Sequence, residues 1–344
     1  MTRLSTANLS SEVTPHGGLR HWYEVYRDLT KARLASLVLV TTAVGYFLAG
    51  PIDIQWGHFI ATLVGTALTA FCANMCNQMM EIDRDARMPR TKGRPLPASR
   101  ISLGHAITAA IFFGVSGVFV LWFFTNLLTA FLGFLTVFLY LAVYTPLKTR
   151  TTHNTLVGAV CGALPPVMGW TAVTNEIGPG AWLLAVILFI WQIPHFMALA
   201  WLYREDYKLG GYRMLPVIDE QGSITTLTVI LWTVPLLPVG LAGMYIGISG
   251  WFFFGLSLVL GVWFLKVGIE LWHHRTLENA RKVFLVSVIY LPLLLGGMAI
   301  DYHFFMPASV VTDASVVEAG SSDEVSVSQT LSPFYSAPEE AGVR

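Results

Sequence analysis

Apolar residues run through this chain in nine long blocks separated by short polar stretches. Crossing a hydrocarbon layer of about 30 Å takes roughly 20 helical residues. Blocks of that size fall near 34–50, 57–80, 104–123, 127–144, 155–174, 181–203, 224–248, 250–272 and 283–303. The pattern predicts an all-α, polytopic membrane protein with nine transmembrane helices. The expected organisation is an amino-terminal segment over 1–30, a membrane domain over 31–305 and a polar tail over 306–344. The internal connections are about twenty residues at most, so no soluble domain is inserted. The tail is rich in Ser, Val, Ala and acids, a composition read as disordered.

Composition agrees: 54% of residues are hydrophobic and 12% charged, where a soluble domain has about a quarter charged. Lys and Arg sort by side. The first segment holds five, the connection after helix 2 six, and those after helices 4, 6 and 8 two, three and three. The alternate connections hold none. By the positive-inside rule the basic side is cytoplasmic, and nine spans place the carboxy terminus outside. The expected setting is a bacterial plasma membrane. The first 33 residues have no apolar signal-peptide core, and Glu12, Glu24 and Asp28 argue against a mitochondrial presequence. Cys72 and Cys76, one helical turn apart, read as packing residues.

The densest charge is in NQMMEIDRDARMPRTKGRPLP, residues 77–97, with three acids and five bases between uncharged spans. If one helix runs through it, Asn77, Glu81 and Asp85 share a face, with Asp83 free to pair with Arg87. Such carboxylates offer hard oxygen ligands to Mg²⁺, which binds through one or two carboxylates and substrate phosphates. Arg84, Arg87, Arg90, Lys92 and Arg94 exceed what the acids neutralise, as a metal-bridged diphosphate requires. An interfacial salt-bridge loop is the plainer alternative.

A second charged connection, YREDYKLGGYR, ends helix 6 with Arg204, Glu205, Asp206 and Lys208. The recurrence suggests two related four-helix halves plus a ninth helix. Lys148 and Arg150 close helix 4 on the same side, as lipid anchors or anion binders. His195, in WQIPHFMALAW, lies eleven residues before Asp206. On one continuous helix the two face alike, His195 about 16 Å deeper. An ionisable group inside a span is a functional candidate. Its structural alternative is to bond the carbonyl that Pro194 frees.

These residues resemble the UbiA superfamily of intramembrane prenyltransferases. The first motif of that family matches Asn77, Glu81 and Asp85, with Glu for the usual first Asp. Its second motif matches Asp206, although Leu202 stands where a paired Asp is common. Its adjacent Lys-Arg is here Lys148-Thr149-Arg150. Within the superfamily, the first loop together with YTPLKTRTTHNTLVGAVCGALPPVMGW and WQIPHFMALAWLYREDYKLGGYRMLPV resembles the haem-farnesylating branch.

The resemblance implies a UbiA-like fold of nine helices around a central cavity, with farnesyl diphosphate and haem B as substrates and haem O, destined for terminal oxidases or haem A synthesis, as product. It implies Mg²⁺ bridging the diphosphate. Glu81, Asp85 and Asp206 become metal ligands, with Asn77 beside them as the catalytic set. Arg90, Arg94, Lys148, Arg150, His195 and Lys208 become substrate contacts. A quinone-precursor prenyltransferase and a haem-binding assembly factor are the alternatives. A transporter is disfavoured because the spans hold almost no acids.

Overall fold

The structure, a computed structural model, describes residues 18–50 and 54–305; the expected tail over 306–344 lies outside them. The first element, α1 (Leu19–Leu29), is amphipathic, burying Val25 and Leu29. After a 59° bend comes α2 (Ala32–Leu48). Then follow α3 (Trp56–Met80), the single turn α4 (Ile82–Asp85), and α5 (Leu103–Phe124). Next, α6 (Leu127–Phe138) runs through a π-helical turn, Leu139–Tyr144, into α7 (Thr145–Leu147). They are followed by α8 (Asn154–Thr174), α9 (Pro179–Leu202), and the short α10 (Arg204–Leu209) and α11 (Leu215–Ile218). The last spans are α12 (Ser223–Thr233) continued by α13 (Val239–Tyr245), then α14 (Trp251–His273) and α15 (Leu277–Ile300). Among the described residues eight helices are long and apolar enough to cross a membrane, and α1 with α2 supplies the ninth.

Side chains sort by neighbour rather than by polarity. On α5, Phe112, Val115, Trp122 and Phe123 point outward, more than half exposed, which is what lipid permits and water does not. The polar residues of α3, Thr62, Thr66, Thr69, Asn74, Asn77 and Gln78, are buried instead. Helices approach closely where small residues allow it. Where α2 crosses α8, a Cβ at Gly45 would run into the Pro166 carbonyl, and one at Gly169 into the Thr42 carbonyl.

The carbonyls at the end of α1 lose their helical partners at the bend. Side-chain amides of α3 replace them: Asn74 donates to Thr30 O at 2.9 Å, and Gln78 to Asp28 O at 3.0 Å and Leu29 O at 2.8 Å. The turn so fixed puts Lys31 in the left-handed region, φ 50°, with its side chain toward α3.

Candidate functional site

Both charged connections begin where a span stops. The α3 helix ends at Met80, and Glu81 leaves helical geometry with φ −111°. The α9 helix ends at Leu202, and Tyr203 does the same with φ −114°. A single helical phase across either break therefore does not apply. Asn77, Glu81 and Asp85 are nonetheless all buried, at 0%, 4% and 0% exposure. Asp83 and Arg87 instead face out.

The acids meet bases here. Lys148 Nζ donates to Glu81 Oε1 at 2.9 Å. Arg94 donates to Asp85 Oδ2 at 2.6 Å, and Thr91 Oγ1 to the Asp85 backbone oxygen at 2.9 Å. Arg90 reaches Asp206 Oδ2 at 3.7 Å across the two connections. Asn77 is held at both ends: its oxygen accepts from Lys31 Nζ at 2.9 Å, and its amide donates to Thr145 Oγ1 at 3.2 Å.

Aromatic rings line the cations. The Lys148 ammonium lies 4.6 Å from the Tyr144 ring centroid, 5.9 Å from Tyr212 and 6.0 Å from Tyr140. The Arg90 guanidinium covers Tyr203 at 4.5 Å. Tyr140 and Tyr144 belong to the π-helical turn, a local widening that recurs at functional sites. The two charged connections also pack together, Met88 against Tyr212 and Met214. Arg213 N donates to Lys148 O at 2.7 Å, docking the second connection on the end of helix 4.

The charges reset one another. Burial pulls the Lys148 pKa down, but Glu81 beside it, together with Tyr140 and Tyr207, raises it above the usual lysine value. Lys31, in the turn before α2, goes the other way. Burial, with Arg94 and Lys148 close by, lowers it to about 7 against the pull of Glu81 and Asp85. The Tyr212 phenol is pushed up by burial, by the Glu81 and Asp85 charges and by its hydrogen bond to Glu81.

The expected residues thus divide. Asn77, Glu81, Asp85, Arg94 and Lys148 lie together at the end of α3, and Arg90 of the same connection reaches Asp206 of the second. Arg150 and Lys208 are exposed at the same face. His195 Nδ1 meets Ser287 of α15 at 2.8 Å, rather than the carbonyl freed by Pro194. Sequence reasoning missed Lys31, Thr145, Tyr144 and Tyr212. A signal existed for Lys31, a lone base beside the first span, but it was absorbed into the count of positive charge.

Among the described residues no three His, Cys, Asp or Glu side chains stand together as a ready metal cage. The three expected metal carboxylates each face a base. Asp85 nevertheless keeps its Oδ1 buried and without a hydrogen-bond partner, a hard oxygen with unused capacity. That donor set fits Mg²⁺, which takes few carboxylates and completes its shell with water and phosphate oxygens.

Cavities of about 610 Å³ and 750 Å³ flank α5, one against Tyr26 and His105, the other beside Cys72, Phe119 and Phe134. Neither includes a residue of the charged cluster.

Residues 38–294 match the UbiA prenyltransferase family. The chain is 40% identical over 285 residues to the protoheme IX farnesyltransferase of Solibacter usitatus, covering 80% of this chain and 98% of that one. It is 39% identical to the protein of that name from Opitutus terrae, covering 82% and 95%. The mitochondrial one of Arabidopsis thaliana is 39% identical over 86% of this chain and 69% of its own. Among solved structures, a digeranylgeranylglyceryl phosphate synthase superposes with TM-score 0.69 at 15% identity, covering 81% of this chain and 98% of that one. A homologue from Archaeoglobus fulgidus bound to DMAPP and Mg²⁺ gives 0.60 at 14%, covering 80% and 99%.

Proposed function

The chain belongs to the UbiA prenyltransferase family, and on that premise we propose that it transfers the farnesyl group of farnesyl diphosphate to a vinyl group of haem B, with addition of water, to give haem O. The observation that carries this is the closed cluster itself. Glu81 and Asp85 of one connection and Asp206 of the other each stand beside a base, and Arg90 of the first connection reaches Asp206 of the second. The relatives named protoheme IX farnesyltransferase match over nearly their whole length. The Archaeoglobus homologue pairs a prenyl diphosphate with Mg²⁺ on the same fold.

In this reading Glu81, Asp85 and Asp206 hold Mg²⁺, and Asn77 orients the cluster through Lys31 and Thr145. Bound Mg²⁺ supplies charge neutralisation for the departing diphosphate. Lys148, Arg94 and Arg90 exchange their carboxylates for phosphate oxygens and donate to the leaving group as its charge grows. The C1–O bond of farnesyl diphosphate breaks with its electron pair leaving on diphosphate. The terminal vinyl carbon of haem B then forms the new C–C bond to C1, water oxygen adds to the inner vinyl carbon, and one proton is released. Tyr144 and Tyr140 present ring faces where Lys148 now sits, suited to a transient allylic cation. Apolar walls keep water from that cation. The asymmetry of Lys and Arg supports a cytoplasmic position for this chemistry in a bacterial plasma membrane. A haem A synthase or terminal oxidase assembly would take the product.

Mass spectrometry of haems from membranes with and without the protein tests the proposal. A new haem heavier by one farnesyl group plus water supports it. A prenylated quinone precursor with unaltered haem overturns it.

A further inference from the structure

Among the described residues His195 is the one histidine set deep in a span, and its hydrogen bonds fix which nitrogen carries the proton. Ser287 Oγ lies 2.6 Å from the Phe284 backbone oxygen. A carbonyl only accepts, so the single hydroxyl proton of Ser287 points there. The same oxygen lies 2.8 Å from His195 Nδ1, and with its proton committed it must accept. Nδ1 therefore donates, and in the neutral ring the lone pair stands on Nε2.

The ring is also held in place. Trp191, one turn earlier, stacks on it at 5.0 Å and 24°, and Phe284 of α15 covers it at 5.0 Å and 32°. Trp191 Nε1 donates to the Ser287 backbone oxygen at 2.9 Å, so two neighbouring side chains of α9 grip one residue of α15. Nε2 has no hydrogen-bond partner among the described residues, and His195 as a whole is half-buried. A histidine that serves only to clamp two helices has no use for a fixed lone pair left without a partner. A histidine that binds a metal almost always donates its other N–H to an oxygen, which sets tautomer and orientation.

From this geometry we propose that His195 Nε2 is the axial ligand to the iron of the haem acceptor, with Ser287 as its positioning partner. The assignment rests on the haem-farnesylating reading above. Ligation would fix the macrocycle by its centre, about seven residues or roughly 10 Å below the end of α9, and so set how far a vinyl edge stands from the diphosphate cluster.

The test is titration of the purified full chain with ferric haem B, followed by Soret absorption and electron paramagnetic resonance. The wild type is expected to give a histidine-ligated spectrum. His195→Ala and His195→Gln should both lose it, the glutamine keeping a donor toward Ser287, and added imidazole should restore the signature in the alanine variant. Ser287→Ala should keep the spectrum with ten- to hundredfold weaker haem affinity. Retained binding of inorganic pyrophosphate with Mg²⁺ shows that a variant is folded. A His195→Gln spectrum identical to wild type overturns the ligand. If wild-type membranes still make haem O in that case, only the ligand assignment fails; if they make none, the reading beneath it fails too.

Discussion

Replacing Lys148 with Met removes the ammonium and keeps most of the apolar stem. Its side chain is 13% exposed and that of Glu81 5%, so solvent screens the pair little. A hydrogen bond between charged groups contributes about 1.5–3 kcal/mol, and stranding a buried partner costs about 3–5 kcal/mol. With Glu81 left buried and without its ammonium partner, the expected stability loss is about 2–4 kcal/mol. Loss of a donor to the leaving diphosphate should lower turnover by about 10²–10³. Because the Lys148 pKa is raised in the folded state, the pair's stabilisation is complete below the unfolded lysine value and is lost only as pH climbs through the folded one. The deficit of Lys148→Met should thus be flat from pH 6 to 9. Adding Glu81→Gln should return most of the stability, since neither partner is then stranded, and none of the activity. The assays are thermal unfolding of detergent-solubilised protein and haem O formation in membranes. Turnover within threefold of wild type, or a deficit that disappears inside that pH window, would refute the reasoning.

Four further outcomes follow from the same geometry. Asp85→Asn should leave a folded protein whose turnover falls at least about a hundredfold, with the loss largest at low Mg²⁺, measured as haem O formed against Mg²⁺ concentration. Lys31 sits near pKa 7 in the free protein, below its unfolded value, so folding stability should rise as pH climbs from about 7 toward 10.5. An anion beside it favours the charged form, and calorimetry of Mg²⁺-pyrophosphate binding at pH 7 in buffers of different ionisation enthalpy should show uptake of about half a proton, absent in Lys31→Met. Gly45→Leu, which drives a side chain into the Pro166 carbonyl, should abolish the monodisperse peak in size-exclusion chromatography, whereas Gly57→Leu, with open space around it, should not.

The spans were legible because lipid rewards a simple property, continuous apolarity, and the ends of α3, α8, α9 and α15 fall close to where hydropathy changes. The residues of the first charged connection were legible for the opposite reason: charge between two greasy spans needs a purpose. Phase was not legible. Glu81 and Tyr203 leave helical geometry, so a rule that counts turns along one helix could not show that Asp206 meets Arg90 or that His195 meets Ser287. Lys31 depends on a bend secured from α3 by Asn74 and Gln78, a tertiary arrangement with no local signature. The π-helical turn that brings Tyr140 and Tyr144 to Lys148 is equally silent in the sequence.

The central claim is that acids from both connections serve one Mg²⁺-diphosphate, and a double-mutant cycle on ligand binding tests it most directly. The measurement is the Kd of farnesyl thiodiphosphate with Mg²⁺ for wild type, Glu81→Gln, Asp206→Asn and the double variant. Each single change should weaken binding about tenfold or more, with the double scarcely worse than the weaker single, because residues that act as a unit are strongly non-additive. Losses that simply multiply, or an Asp206→Asn protein that binds as wild type does, would contradict the account.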